Sequence, residues 1–192
     1  APSRNAKELF ERLKADPQSM SIGIVALGGP NHLALAQAAK LSGIDPKRLK
    51  TVVFKTNADS MTALAGGHIQ LVASSVNSAR AQVKAGNARI LAVAADHRIE
   101  GEFASVPTLR EQGIDARVAS WRGVFGPKGM SRAQTAYWDD IMTRMVATAD
   151  WKASLENHGW AGQFLHSAEF TKYLDADYAA NRAVMQDLGI AK

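Results

Sequence analysis

Asn31 and His32 follow two glycines, Gly28 and Gly29, where an apolar run over residues 22–27 breaks. Glycines there permit a tight turn and let a ligand approach the backbone closely. Pro30 suits a first helical turn, where its missing N–H costs nothing. The N–H groups of such a helix start, with the positive end of the helix dipole, favour a carboxylate or phosphate. The same residues also suit a plain strand-to-helix turn that binds nothing. A second polar stretch, Ser74-Ser75-Val76-Asn77-Ser78, places hydroxyls and an amide just after another apolar run. Lys55, after residues 51–54, reads first as a solvated lysine and second as a cation at a pocket mouth. Trp121 reads first as packing, and the Arg122 guanidinium beside it could grip a carboxylate with two hydrogen bonds.

Other chemistry finds little support. The chain has no G-x-S-x-G elbow, no G-x-x-x-x-G-K-[ST] phosphate loop, no H-E-x-x-H zinc helix and no dinucleotide G-x-G-x-x-G. His32, His68, His97, His158 and His166 lack the paired i, i+4 spacing of metal ligands, so neither metal nor cofactor is expected. Ser74 or Ser75 with His32 could form a nucleophile and base, but no acid partner has recognisable placement. The absence of cysteine excludes disulfides, thiolate metal sites and cysteine nucleophiles.

The net charge of +5 is unevenly placed. Residues 1–120 hold 15 Lys/Arg against 10 Asp/Glu, whereas residues 121–192 hold 8 against 8. That excess suits an anionic ligand, and solvated surface cations explain it equally well. Nucleic acid is a poorer partner, because no five-residue basic run or aromatic-rich strand is present. No run approaches the roughly 20 apolar residues of a membrane span, and Ala1-Pro2-Ser3-Arg4 has no signal-peptide core.

The elements that must position these residues alternate. Asn5-Ala6-Lys7-Glu8 has the form of a capping box and opens a helix with Leu9, Phe10 and Leu13 on one face, ended by Asp16-Pro17. Strands are expected at residues 22–25, 51–54, 69–73 and 89–94, with helices at about 30–41, 57–65 and 79–85 between them. Such alternation implies right-handed crossovers and a mainly parallel sheet, whose ligands bind beyond the carboxyl ends of the strands. Both polar loops fall at such ends. A short helix at 108–112 and a further strand at 118–125 lead into Gly126-Pro127. Helices then dominate: one behind a capping box at Ser131 and Gln134, carrying Trp138, Ile141, Met142 and Met145; one around 151–155 ending near Gly159; and a long one capped by Ser167.

Taken together, the segments resemble the solute-binding receptors of tripartite tricarboxylate transporters, the Bug family. The matching pieces run nearly end to end: the Gly28 to His32 loop; Val52-Val53-Phe54; Leu64-Ala65-Gly66-Gly67-His68; Ser74-Ser75; residues 83–93; Val106-Pro107-Thr108-Leu109; residues 121–127; and Trp151-Lys152 with residues 157–160. The resemblance implies a periplasmic-binding-protein-like (type II) α/β lobe with a mainly parallel sheet, joined by C-terminal helices of the partner lobe. It divides the chain into a ligand-loop lobe, 1–120, and a hinge strand with the helical part of an incomplete first lobe, 121–192.

The resemblance further implies a periplasmic protein that captures a small organic acid anion, a di- or tricarboxylate or similar, without chemistry and presents it to membrane permease subunits. Gly28, Gly29, Asn31 and His32 would supply loop contacts and Ser74 and Ser75 the opposite wall, with Lys55, Asn77, Trp121 and Arg122 as further candidates. Many relatives carry an acidic residue where Ser74 stands and a tyrosine where Phe54 stands, so this chain departs at both positions. Family members begin with a further first-lobe βαβ portion, and its absence leaves half a site and an apolar helical face that would drive dimerisation or segment exchange. A ligand-sensing module for a membrane signalling partner and a small-molecule hydrolase are the alternative readings.

Overall fold

The computed structural model describes residues 3–99, 101–118, 120–158, 160 and 162–191. It divides into two compact units: Ala1–Ser120 with Asn181–Lys192, and Trp121–Ala180.

The first unit is built on a parallel sheet of three short strands, β1 (Ile22–Ile24), β2 (Thr51–Val53) and β3 (Leu71–Val72), in the order β2-β1-β3. β1 is central, with Ile22 opposite Thr51 on one side and Leu71 on the other. Being flanked on both edges, it is buried at all three positions. A Cβ on Gly23 would lie 2.7 Å from Ile69 Cδ1, so the middle of this strand accepts no larger residue without displacing its neighbour.

Helices α1 (Ala6–Ala15), α2 (Pro30–Leu41), α3 (Asn57–Ala65) and α4 (Val76–Lys84) alternate with these strands. Asn5 Oδ1 accepts from the Glu8 N–H at 2.8 Å, as its spacing predicts, but the Glu8 carboxylate accepts from the Arg4 N–H, one residue before the cap. Leu9, Phe10 and Leu13 of α1 are buried against Ile22 and Ile24, Leu35, Ala38 and Ala39 of α2, and Ile114. The amphipathic face read from the sequence is thus the core of this unit. Asp187 pairs with Lys40, fixing the end of the last helix to α2.

Two expected strands do not form. Residues 89–94 make a single parallel bridge, Val93 to Thr108, and no ladder. Gln112 holds this segment instead: its side-chain amide donates to the Leu91 carbonyl and its oxygen accepts from the Ala6 N–H. The described residues of 118–125 are irregular, because no neighbouring strand offers them a ladder.

The second unit holds α5 (Arg132–Ala147), α6 (Ala149–His158) and most of α7 (Ser167–Asp187). Ser131 and Gln134 form the complete capping box. Ser167 is the first helical residue of α7 rather than its cap: its N–H and hydroxyl both donate to the Asp139 carboxylate, at 3.0 and 2.7 Å. The expected helix end near Gly159 lies outside the described residues. None of the described residues of α5, α6 and α7 is buried, and Trp138 is half exposed.

Candidate functional site

The three parallel strands deliver three helix starts to one edge of the sheet. β1 runs into the Gly28 to His32 turn, β2 into Lys55, Thr56 and Asn57, and β3 into Ser74 and Ser75. Between the first two of these loops lies a cavity of about 150 Å³ lined by Val25, Ala26, Gly29, Pro30, Asn31, His32 and Asn57. It occupies the position that a parallel sheet reserves for ligands.

The turn is held by its own hydrogen bonds. Gly28 adopts φ +73°, a left-handed conformation that favours glycine. Its N–H donates to His32 Nδ1 at 3.0 Å, and the Gly29 N–H donates to the Ala26 carbonyl at 3.1 Å. Both glycine donors are therefore spent on the turn. The Gly29 carbonyl takes the Leu33 N–H at 2.9 Å, while Pro30 has no N–H to offer. Among the described residues, the N–H groups of Asn31 and His32 have no acceptor. They are the orphan donors of the first turn, at the positive end of the α2 dipole and on the cavity wall.

His32 is 5% exposed, and burial lowers its pKa below the ordinary histidine value. The ring is thus neutral at pH 7. Because Nδ1 accepts from Gly28, the proton sits on Nε2. His32 locks the turn and does not supply a charge.

Asn57 was not singled out from the sequence, although its place after β2 matches that of the other two loops. It is the first residue of α3, behind the capping box of Thr56 and Asp59. Its Oδ1 accepts from the Ser74 hydroxyl at 3.2 Å, so Ser74 reaches the cavity wall through Asn57. Ser75 caps α4, its Oγ lying 2.8 Å from Ser78 Oγ and accepting from the Ser78 N–H at 3.4 Å. Asn77 lies exposed in the first turn of α4, and Lys55 is exposed after β2; neither lines the cavity.

Trp121 and Arg122 belong to the second unit. Trp121 Nε1 donates to Asp177 at 3.2 Å and the ring meets Phe170 edge-on at 5.4 Å. The Arg122 guanidinium lies 4.8 Å from the Trp160 ring centre. No group of three or more His, Cys, Asp or Glu suited to a metal occurs among the described residues.

A larger hollow, about 400 Å³, lies by the other end of α2, lined by Lys7, Phe10, Glu11, Lys14, Ser42 and residues 112–114. It has two lysines, but it adjoins the negative end of the α2 dipole and carries the Glu11 carboxylate. An anion is better served by the smaller cavity.

Residues 1–190 match the family described as tripartite tricarboxylate transporter family receptor. Among individual relatives, the "UPF0065 protein in gbd 5'region" of Cupriavidus necator is 26% identical over 192 residues, covering 100% of this chain and 57% of the relative. A second, the "UPF0065 protein in tcbD-tcbE intergenic region" of Pseudomonas sp. strain P51, is 27% identical over 158 residues, covering 81% of this chain and 46% of the relative. The fold is that of a TctC solute binding protein from Polaromonas (TM-score 0.83, 24% identity, 98% of this chain and 63% of that one). An R. palustris protein solved with adipate has the same fold (TM-score 0.76, 22% identity, 99% and 62%). The chain therefore spans less than two thirds of the length of these relatives. It is an α/β lobe of the periplasmic-binding-protein type with a parallel sheet.

Proposed function

Because the chain belongs to the tripartite tricarboxylate transporter receptor family, we propose that it forms one wall of a periplasmic receptor site for a small organic acid anion, which the receptor passes to the permease subunits of a tripartite transporter. One observation carries this reading. The N–H groups of Asn31 and His32 point from a helix start onto a cavity and lack an acceptor among the described residues. A carboxylate supplies acceptors only, and it gains from the dipole as well. Two structures of the same fold support the choice of ligand, one solved with adipate and one, MatC from Rhodopseudomonas palustris, with bound malate. The roles follow the geometry: Gly28 and Gly29 shape the turn, Asn31 and His32 donate, and Ser74 acts through Asn57. Lys55, Ser75 and Asn77 stand nearby at the strand ends, without a contact to the cavity. The family is one of receptors rather than enzymes, and a neutral His32 whose Nδ1 is bound to Gly28 is no general base for Ser74 or Ser75.

Affinity in such sites comes from enclosing the ligand and excluding water on all sides. Residues 1–192 by themselves are thus expected to bind weakly. Calorimetry of the full gene product against dicarboxylates, tricarboxylates and neutral sugars tests the reading. Saturable binding of an acid, without turnover, is expected. Binding of sugars alone, or conversion of any ligand, would overturn it.

A further inference from the structure

The geometry points to Asn57 as the residue that makes this cavity selective for an ionised carboxylate, with Ser74 as the positioning residue that fixes which end of the Asn57 amide faces the ligand. The inference rests on the carboxylate-receptor reading and goes beyond it, since that reading needs only the helix-start donors. A side-chain amide is ambivalent: turned one way it donates two hydrogens, turned the other it accepts. In an otherwise donor-rich cavity, an accepting amide would repel a carboxylate oxygen and favour ligands that carry N–H or O–H.

Ser74 settles the choice. Its hydroxyl donates to Asn57 Oδ1 at 3.2 Å, and it does so from outside, since Ser74 is not among the residues lining the cavity. Asn57 lines it. With Oδ1 held by Ser74, the amide nitrogen is the end left for the cavity, where it joins the N–H groups of Asn31 and His32. The lining residues include no Asp, Glu, Lys or Arg. Recognition is then by neutral donors from two helix starts, α2 and α3, and an acceptor-only ligand group fits all of them.

Two-dimensional NMR of the 192-residue protein, with acetate and acetamide as probes, tests this. In the ligand-free protein the Asn57 side-chain NH2 should show NOEs to Val25 or Ala26 and not to the Ser74 β-protons; the reverse pattern would overturn the assignment. Acetate should shift the Asn31 and His32 amides together with the Asn57 NH2, and bind about tenfold tighter than acetamide. Ser74→Ala should reduce that ratio several-fold, with Ser74→Thr restoring it. Asn57→Asp, which a helix first turn tolerates, should abolish the acetate response. Acetate shifts at Asn31 and His32 with Asn57 silent, or an unchanged ratio in Ser74→Ala, would remove this inference and leave the receptor reading intact. No acetate response at any of the three would remove both.

Discussion

Replacing His32 by phenylalanine keeps most of the ring volume and deletes the acceptor for the Gly28 N–H. The turn then holds a partly buried donor with nowhere to go, which costs about 1–2 kcal/mol. For a chain of this size each kcal/mol lowers the melting temperature by about 2–4 °C, so a fall of about 2–8 °C is expected. The dependence on pH separates this cause from general damage to packing. Burial lowers the folded-state pKa of His32 below its unfolded value. The unfolded chain therefore takes up the proton first as pH falls, and stability contributed by the neutral ring is complete above the unfolded pKa, near 6.5, and lost as pH falls through the folded one. One proton limits the slope to about 1.4 kcal/mol per pH unit. Denaturant unfolding followed by circular dichroism from pH 8 to pH 5 should show a fall below pH 6.5 in the wild type that is reduced in His32→Phe. Equal melting temperatures and equal pH slopes for the two proteins would refute the role given to the imidazole.

Other perturbations follow from the same contacts. Gly28→Ala forces a left-handed backbone on an L-residue and brings its Cβ to 3.0 Å from Met185 Cε, so a loss of about 1–2 kcal/mol is expected in thermal unfolding. Asp139→Ala removes both acceptors of Ser167, which should cost about 1–3 kcal/mol and raise amide exchange at the start of α7. Half-exposed Trp138, with Phe125, Tyr137 and Tyr178 also in water, predicts concentration-dependent association of the 192-residue chain in light scattering, reduced by Trp138→Glu. A strictly monomeric wild type across the micromolar range would contradict that expectation.

The elements legible from sequence are those whose signal is local. Asn5 and Glu8, Ser131 and Gln134, and the Gly28-Gly29-Pro30 break each announce a helix start through side-chain or backbone chemistry within four residues. The Leu9, Phe10 and Leu13 face was equally readable, because a period of 3.6 residues turns all three to the core. The segments at 89–94 and 118–125 misled because their apolar, β-branched content suits a strand, whereas a strand also needs a neighbour in register, which composition cannot supply. Within the site, Gly28 to His32 could be found from glycine and proline alone. What could not be found was the division of labour: that His32 Nδ1 consumes the Gly28 N–H, and that Ser74 reaches the cavity through Asn57, a contact across 17 residues. Such pairings depend on how neighbouring strands end, and no local spacing encodes them.

The central claim is that the helix-start donors of Asn31 and His32 receive a carboxylate. A crystal structure of the full gene product with the acid that binds it best in calorimetry tests this most directly. A carboxylate oxygen should lie at about 3 Å from both backbone nitrogens, with Gly28 still bonded to His32. An acid seated instead in the hollow between Lys7 and Lys14, with both N–H groups left to water, would contradict the account.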